Sequence, residues 1–434
     1  MKVTFIYPSF ERHANSHPVL LDYVPCDEYI GSPSLGIARL AAVTPDDVTV
    51  TFIDDRVTPF NPDAAEADLF ALSFFTPAAM RAMEIGRALL ARGRKVVMGG
   101  IFPSMMPGEV ASSCTSVVIG EGEPVWRQVL DDARHDALKP FYRADEPYDL
   151  ADAPPPKINL YIDAEKPGRE MDDYPLQTSR GCPLSCFACV LPGVMGGKTR
   201  FFGEEANIRA ALDLYARDKR ICIPEDTSFL FLGGARRRFK KFLTDLWETT
   251  GHDPIRVSYM GISMPMVLSL EDEFMDLIRQ VGIRRFYLVG GFDPITQKAF
   301  GTGDRESWDK ATQVVRRCHD YGIEPYTSML VGTELDDDGV FDRMLEFGNA
   351  TGLEKAEFAV ATPYPGTPAW RQMVAEDRLL HRNWTKYNDA NVVFRPKGMS
   401  PEHLQKGYLY LWREFYKTRQ HLRDLDHDQR TIQF

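Results

Sequence analysis

Short, unbroken apolar runs recur along this chain, and helical periods separate them. Residues 2–7, 48–53, 69–74, 95–98 and 116–119 are four to six residues each, rich in Val, Ile, Leu and Phe. A strand that is apolar without alternation is buried on both faces, which requires a parallel sheet covered by helices on each side. This predicts an α/β fold that begins with a Rossmann-like or flavodoxin-like doubly wound sheet over residues 1–145. Ligands of such sheets bind outside the carboxyl ends of the strands. Here those ends resemble one another: Ser73-Phe74-Phe75-Thr76-Pro77, Gly99-Gly100-Ile101-Phe102-Pro103-Ser104 and Gly120-Glu121-Gly122-Glu123. Glycines let a ligand approach the backbone and hydroxyls offer hydrogen bonds, so three such ends in register suit a broad, flat ligand. None is a G-x-G-x-x-G fingerprint, and no G-x-x-x-x-G-K-[ST] loop occurs in the chain.

The charged, proline-rich passage 146–174, with Asp152-Ala153-Pro154-Pro155-Pro156, reads as a linker. Beyond it, strands are expected at 176–178, 220–223, 256–259, 285–289, 325–331 and 356–361, with helices such as 204–217 and 308–321 between them. Six successive strand–helix units predict a complete or partial (β/α) barrel over 175–370. An aromatic-rich helical region follows over 371–434. A length of 434 residues accommodates this plan at ~150 residues per domain. With 62 acidic against 51 basic residues the chain carries a formal charge of −11, which argues against a nucleic-acid coat or an anionic-membrane binder. No stretch approaches the ~18–20 apolar residues of a membrane helix, and the N-terminus runs directly into a strand rather than a signal peptide. A cytoplasmic protein is therefore expected.

Four of the seven cysteines stand alone, at 26, 114, 222 and 318, as buried thiols do; the other three are 182, 186 and 189. They form C-x-x-x-C-x-x-C within Thr178-Ser179-Arg180-Gly181-Cys182-Pro183-Leu184-Ser185-Cys186-Phe187-Ala188-Cys189, the loop after the first barrel strand. Barrel active sites lie at that end. Three thiolates on one loop suit three irons of a [4Fe–4S] cluster, whose fourth iron stays open for a substrate or cofactor. A structural zinc site usually closes with four ligands, and no Cys or His follows within 30 residues to complete one. Other features read as structure: Met260, Met264 and Met266 as core filling, Asp336-Asp337-Asp338 as a loop or cap, and His252 and His319 as packing residues. Arg236-Arg237-Arg238 with Lys240-Lys241 reads as a solvated face or a dock for an acidic electron donor.

On these residues the chain resembles the radical S-adenosylmethionine superfamily, and in its class B, cobalamin-binding-domain branch it finds parallels along nearly its whole length. The supporting segments are Ser34-Leu35-Gly36-Ile37, Gly99-Gly100 and Gly120-Glu121-Gly122-Glu123 in the first sheet. Ala361-Thr362-Pro363-Tyr364-Pro365-Gly366-Thr367-Pro368, Asp377-Arg378-Leu379-Leu380 and Val392-Val393-Phe394-Arg395-Pro396 support it in the tail. The resemblance implies that Cys182, Cys186 and Cys189 ligate the cluster, whose open iron holds S-adenosylmethionine. Electron transfer then yields methionine and a 5′-deoxyadenosyl radical. By the same resemblance Phe187, Ala188, Glu225, Asp226, Gly291 and Asp293 contact S-adenosylmethionine. Ser73, Thr76, Gly99, Gly100, Ile101, Phe102, Ser104, Gly120, Glu121 and Gly122 hold cobalamin.

The chain departs from the family pattern at defined places. Ala188 stands where an aromatic residue usually precedes the third cysteine, with Phe187 one place earlier. Glu225-Asp226-Thr227 replaces paired aspartates, and Gly290-Gly291-Phe292-Asp293 replaces a glutamate–serine pair. No D-x-H-x-x-G loop supplies a lower cobalamin ligand, which leaves the segment 101–106 as the candidate for that face. The function implied is methylation of an unactivated carbon of a small molecule, oxygen-sensitive and reduced by a flavodoxin- or ferredoxin-like donor. A non-methylating cyclisation, rearrangement or oxidation, with cobalamin redox-active or absent, is the alternative. A non-catalytic zinc or corrinoid-binding sensor is a further one.

Overall fold

The computed structural model describes all residues except 27–28, 185, 225–232, 290–303, 431 and 433–434. Two six-stranded parallel sheets organise it. The first contains β1 (Lys2–Tyr7), β2 (Thr49–Asp54), β3 (Leu69–Ser73), β4 (Val96–Gly99), β5 (Ser116–Ile119) and β6 (Phe141–Arg143) in the order β2-β1-β3-β4-β5-β6. Its direction of winding reverses between β1 and β3, the place where doubly wound sheets open a crevice for a ligand. Val3, Phe5, Leu69, Phe70, Val96 and Val117 are at most 1% exposed, as strands covered on both faces require.

The second sheet runs β14-β13-β12-β11-β10-β7, that is, in sequential order. Its members are β7 (Tyr174–Pro175), β10 (Ile221–Ile223), β11 (Val257–Ser263), β12 (Arg285–Val289), β13 (Glu324–Val331) and β14 (Lys355–Val360). Helices Glu204–Ala216, Gly233–Thr249, Asp272–Val281, Asp304–Asp320 and Val340–Thr351 alternate with these strands. Among the described residues β14 does not pair with β7, so the barrel is partial. Between β7 and β10 a two-stranded antiparallel ribbon, β8 (Ser179–Arg180) and β9 (Arg200–Phe201), brackets the cysteine loop. The fold is thus a Rossmann-like sheet, a partial (β/α) barrel and a C-terminal region built on the helix Pro401–Lys417.

Two connections join the units. Residues 146–174 do not hang between them: Tyr161 is fully buried, donates to the Ser34 carbonyl at 2.6 Å and accepts from the Ala38 amide at 3.0 Å. The connection from β1 to the helix Leu35–Ala42 reaches the barrel. Its Tyr29 hydroxyl donates to Asp173 Oδ1 at 2.7 Å, and Gly31 bridges to Asp173 beside β7. His13 on the same connection lies 3.0 Å from the Tyr408 hydroxyl, and burial with the nearby Arg12 holds its imidazole neutral, down to about 3.

Asp55 anchors this connection where it leaves the first sheet. Its carboxylate accepts from Arg81 Nε at 2.8 Å and Nη2 at 2.9 Å, and from the amides of Phe60 at 2.7 Å and Ser9 at 3.0 Å. Burial pushes this carboxyl upward, but Arg81 and the two amides outweigh it and hold it at about 2. A carboxyl depressed in the folded chain stabilises it above the unfolded value of about 3.9, and that contribution disappears as pH falls through the folded value. Asp55→Asn is therefore expected to cost about 3 kcal/mol at pH 7, since it leaves Arg81 without its buried partner. The gap from the parent should close between about pH 4 and pH 2, as read by urea unfolding. A gap independent of pH would show that the charge contributes nothing.

Candidate active site

The cysteine loop is held at both ends by backbone geometry. Gly181 has φ +84°, and a Cβ there would lie 2.1 Å from the Lys198 carbonyl oxygen, so the turn out of β8 admits only glycine. The Cys182 amide donates to Gly196 at 3.1 Å, the Cys189 amide to Cys186 at 3.2 Å, and the Ala369 amide to Phe187 at 3.0 Å. None of the three cysteines is in a disulfide; Cys186 is exposed, and Cys182 and Cys189 are half-buried. Leu184 and Phe187 beside them are 42% and 46% exposed, an apolar surface next to thiols. Among the described residues no three metal-ligating side chains converge on one point. The loop brings the three thiols onto one short segment; it does not hold them in a closed cage. The donor set, three thiols on one loop with no fourth ligand beside them among the described residues, matches a cluster with one open iron better than a structural zinc site. Ala188 is half-buried, whereas Glu225, Asp226, Gly291 and Asp293 lie outside the described residues.

Above this loop is a cavity of about 460 Å³, between the strand ends of the first sheet and the mouth of the barrel. Ser73, Gly99, Gly100, Ile101, Gly120, Glu121 and Gly122 line one wall. Pro175, Gln177, Cys222 and Tyr259 line the other, and Arg180 and Met195 come from the ribbon and the helix after the cysteines. The strand-end residues predicted for one site therefore share a space with barrel residues and with residues flanking the cysteines, while Cys182, Cys186, Phe187, Ala188 and Cys189 do not line it. Thr76, Phe102 and Ser104 do not line it. Thr76 is buried at the start of a helical turn, and the Phe102 ring packs 5.2 Å from Trp384. Ser104 Oγ donates to the Gly100 carbonyl at 2.6 Å and accepts from the Gly120 amide at 2.9 Å, so it braces two cavity-lining turns from behind. Gly100 has φ +100°, and a Cβ on it would meet the Phe74 backbone at 2.7 Å.

Several polar residues at the cavity give no strong signal in the sequence. Arg180 donates from Nη1 to Glu121 at 3.0 Å and from Nη2 to Glu123 at 2.7 Å. Arg200 donates twice to Glu121, at 2.8 and 3.0 Å. Burial pushes the Glu121 carboxyl upward, yet Arg200, the Tyr148 amide and Arg180 bring it below its ordinary value. Deeper in the barrel Asp173 also accepts from Ser258 Oγ at 2.5 Å. Glu357 accepts from the Tyr287 hydroxyl at 2.8 Å and the Tyr326 hydroxyl at 3.1 Å, and burial raises its carboxyl. Tyr259, Tyr287 and Tyr326 lie ring by ring across β11, β12 and β13, with centroids 5.9 and 5.4 Å apart.

The remaining sequence expectations concern structure. Met260, Met264 and Met266 are at most 3% exposed. Asp336 caps its loop by accepting from the Gly332 and Thr333 amides at 2.7 and 2.8 Å. In the basic run, Arg236 pairs with Glu271, Lys240 with Glu273, and Lys241 with Glu204 and Asp245, as on a solvated helix face.

No family model matches the chain. A bacteriochlorophyllide d C-12(1)-methyltransferase of Chlorobaculum tepidum is 26% identical over 391 residues, covering 89% of this chain and 83% of that protein. A bacteriochlorophyllide d C-8(2)-methyltransferase of the same organism is 24% identical over 88% of this chain and 86% of its own length. Among solved structures, a radical S-adenosylmethionine methyltransferase, TsrM, from Kitasatospora setae, with cobalamin and a [4Fe-4S] cluster bound, shares the fold with a TM-score of 0.65. The match is at 14% identity over 94% of this chain and 85% of that one. Over most of its length the chain is similar to these methyltransferases, and it shares its fold with the TsrM structure. In this chain the residues flanking the three cysteines, Arg180 and Met195, face the glycine-rich strand ends across one cavity. No helix among the described residues is long and apolar enough to cross a membrane.

Proposed function

We propose that this enzyme is a cobalamin-dependent radical S-adenosylmethionine methyltransferase that methylates an unactivated carbon of a small molecule. The observation that carries the reading is the shared cavity: the cysteine loop contributes through Arg180 and Met195 to the wall facing the glycine-rich strand ends. Methyl transfer to carbon is supported by the names of the two Chlorobaculum relatives, which span most of this chain. When bound, the cluster with S-adenosylmethionine would supply one-electron chemistry and cobalamin would carry the methyl group.

Each part of the chain then has a defined task. Cys182, Cys186 and Cys189 would hold the cluster at the rim of the barrel. The exposed Phe187 and the Ala188 backbone would face S-adenosylmethionine, with Glu225, Asp226, Gly291 and Asp293 proposed as further contacts. Gly99, Gly100, Gly120 and Gly122 would let a planar corrinoid lie against the strand ends without side chains intervening. The mainly apolar cavity wall and the buried Tyr287 and Tyr326 of β12 and β13 would keep water from the reacting centre. An external one-electron donor is also required.

The test begins with cofactor content. Anaerobic production with cobalamin supplied and the cluster reconstituted should give about one cobalamin per chain by absorbance. Gly36 lines the cavity in the helix Leu35–Ala42, and a Cβ on it would meet only Ser73 Oγ, at 3.5 Å. Gly36→Leu should fold normally, because leucine is the better helix former, and should lower bound cobalamin by about tenfold with iron unchanged. Full cobalamin in this variant would place the corrinoid elsewhere. In turnover, S-adenosylhomocysteine and 5′-deoxyadenosine should form together; 5′-deoxyadenosine alone would sink methyl transfer in favour of a non-methylating reaction.

A further inference from the structure

We propose that Arg180 is a positioning residue: through Glu121 and Glu123 it sets how far the cysteine loop stands from the glycine-rich turn across the cavity. The inference rests on the reading that both a cluster and a cobalamin bind, and it adds what holds the two at a fixed separation.

The geometry starts with a four-residue charge clasp. Arg180 spans to Glu121 and Glu123 from the opposite unit, and its side chain and theirs are 7%, 9% and 5% exposed. Arg200, directly across the ribbon from Arg180, grips the same Glu121. Arg200 also donates to the Met195 carbonyl at 3.0 Å and the Tyr148 carbonyl at 2.7 Å. One carboxylate thus gathers the ribbon, the helix after the third cysteine and the passage between the units. In these ion pairs two guanidinium groups meet two carboxylates, and the buried Arg39 feels both Arg180 and Glu123 from nearby.

Little slack separates this clasp from the thiols. Gly181 alone lies between Arg180 and Cys182, and its conformation is forced by the Lys198 carbonyl. On the other side Glu121 stands between Gly120 and Gly122, both of which line the cavity. A shift of the Arg180 guanidinium is therefore transmitted to Cys182 at one end and to the corrinoid-facing turn at the other.

The chemistry of the contact suits a spacer. A buried ion pair is generally no more stabilising than well-packed apolar side chains of similar volume, but its directional hydrogen bonds admit one geometry. Apolar residues here would bind the units together while allowing them to slide. Arginine's rigid planar fork fixes the direction of its bonds to both carboxylates, which the rotatable ammonium of lysine does not.

The test separates positioning from stability. Glu123 has Arg180 as its ion-pair partner, whereas Glu121 keeps Arg200 when Arg180 is removed. Arg180→Met alone strands a buried carboxylate and should lower Tm. The double variant Arg180→Met/Glu123→Leu removes the stranded carboxylate as well and should return Tm to within about 3 °C of the parent. All three proteins are then loaded with cobalamin and iron–sulfur cluster and reduced to the paramagnetic cob(II)alamin and cluster states. The readout is the relaxation enhancement of the cob(II)alamin EPR signal by the cluster, which depends steeply on their separation. The double variant should lose at least about half of that enhancement despite its restored Tm. Parental enhancement in the double variant would overturn the proposal and leave the clasp a stability element. A parent chain that binds iron but no cobalamin would instead overturn the functional reading, and this proposal with it.

Discussion

Replacing Cys182, Cys186 or Cys189 with alanine is expected to remove the cluster and with it all reductive cleavage of S-adenosylmethionine, while the fold persists. A [4Fe–4S] cluster held by three thiolates has no protein ligand to spare, so iron should fall from about four per chain to well below one. The fold should survive because the loop's ends are held by backbone hydrogen bonds, Cys182 to Gly196 and Ala369 to Phe187, which do not depend on the thiols. Cys222→Ala and Cys318→Ala serve as controls. Both thiols are buried, and burial raises both, Cys318 to about 12, so neither is poised as a thiolate ligand. They should keep full iron. Iron content, the cluster's EPR signal and 5′-deoxyadenosine formation check the result. Retention of four irons in any of the three loop variants would mean that another residue ligates the cluster.

Gly181→Ala should have the second-largest effect, and it separates backbone geometry from ligation. A methyl group at this position meets the Lys198 carbonyl oxygen at 2.1 Å, and the residue also has φ +84°. Both clash and strain act, so the expected cost is about 2–4 kcal/mol, together with a several-fold loss of bound iron. Gly196, at the other end of the loop, has φ +85° but open space where a Cβ would be. Its ψ of 162° makes the conformation one that glycine alone adopts readily, so Gly196→Ala should cost the strain by itself, about 1–3 kcal/mol, and retain its iron. Thermal unfolding and iron analysis compare the two. Equal effects in both variants would mean that strain alone, and not the close approach of the Lys198 carbonyl, fixes the loop.

The strands were legible to the extent that they are long and apolar. Residues 2–7, 69–74, 116–119 and 285–289 are recovered within a residue, because burial on both faces leaves an unbroken apolar run. β6 and β9, only Phe141-Tyr142-Arg143 and Arg200-Phe201, are too short and too polar to carry such a signal. The passage 146–174 has the composition of a linker, but composition does not record that Tyr161 finds a buried place against Ser34 and Ala38. The strand-end pattern located seven residues on the cavity wall. It also included Thr76, Phe102 and Ser104, which sit in the same turns but do not line the cavity, because the pattern carries no information about which side of a turn faces inward.

Two features that the sequence determined by itself are local ones. The alternation of apolar strands with helical periods specifies two parallel sheets, because side-chain period and burial act within a few residues. The C-x-x-x-C-x-x-C spacing places three thiols on one loop, because covalent spacing limits how far apart they can lie. Only the tertiary structure decided that Arg180 meets Glu121, 59 residues away, and that Tyr29 reaches Asp173, 144 residues away. Nothing in the neighbourhood of Glu121 or Tyr29 specifies a partner. The pairs form because packing the first sheet onto the barrel excludes water there, and buried charges and hydroxyls must then find one another.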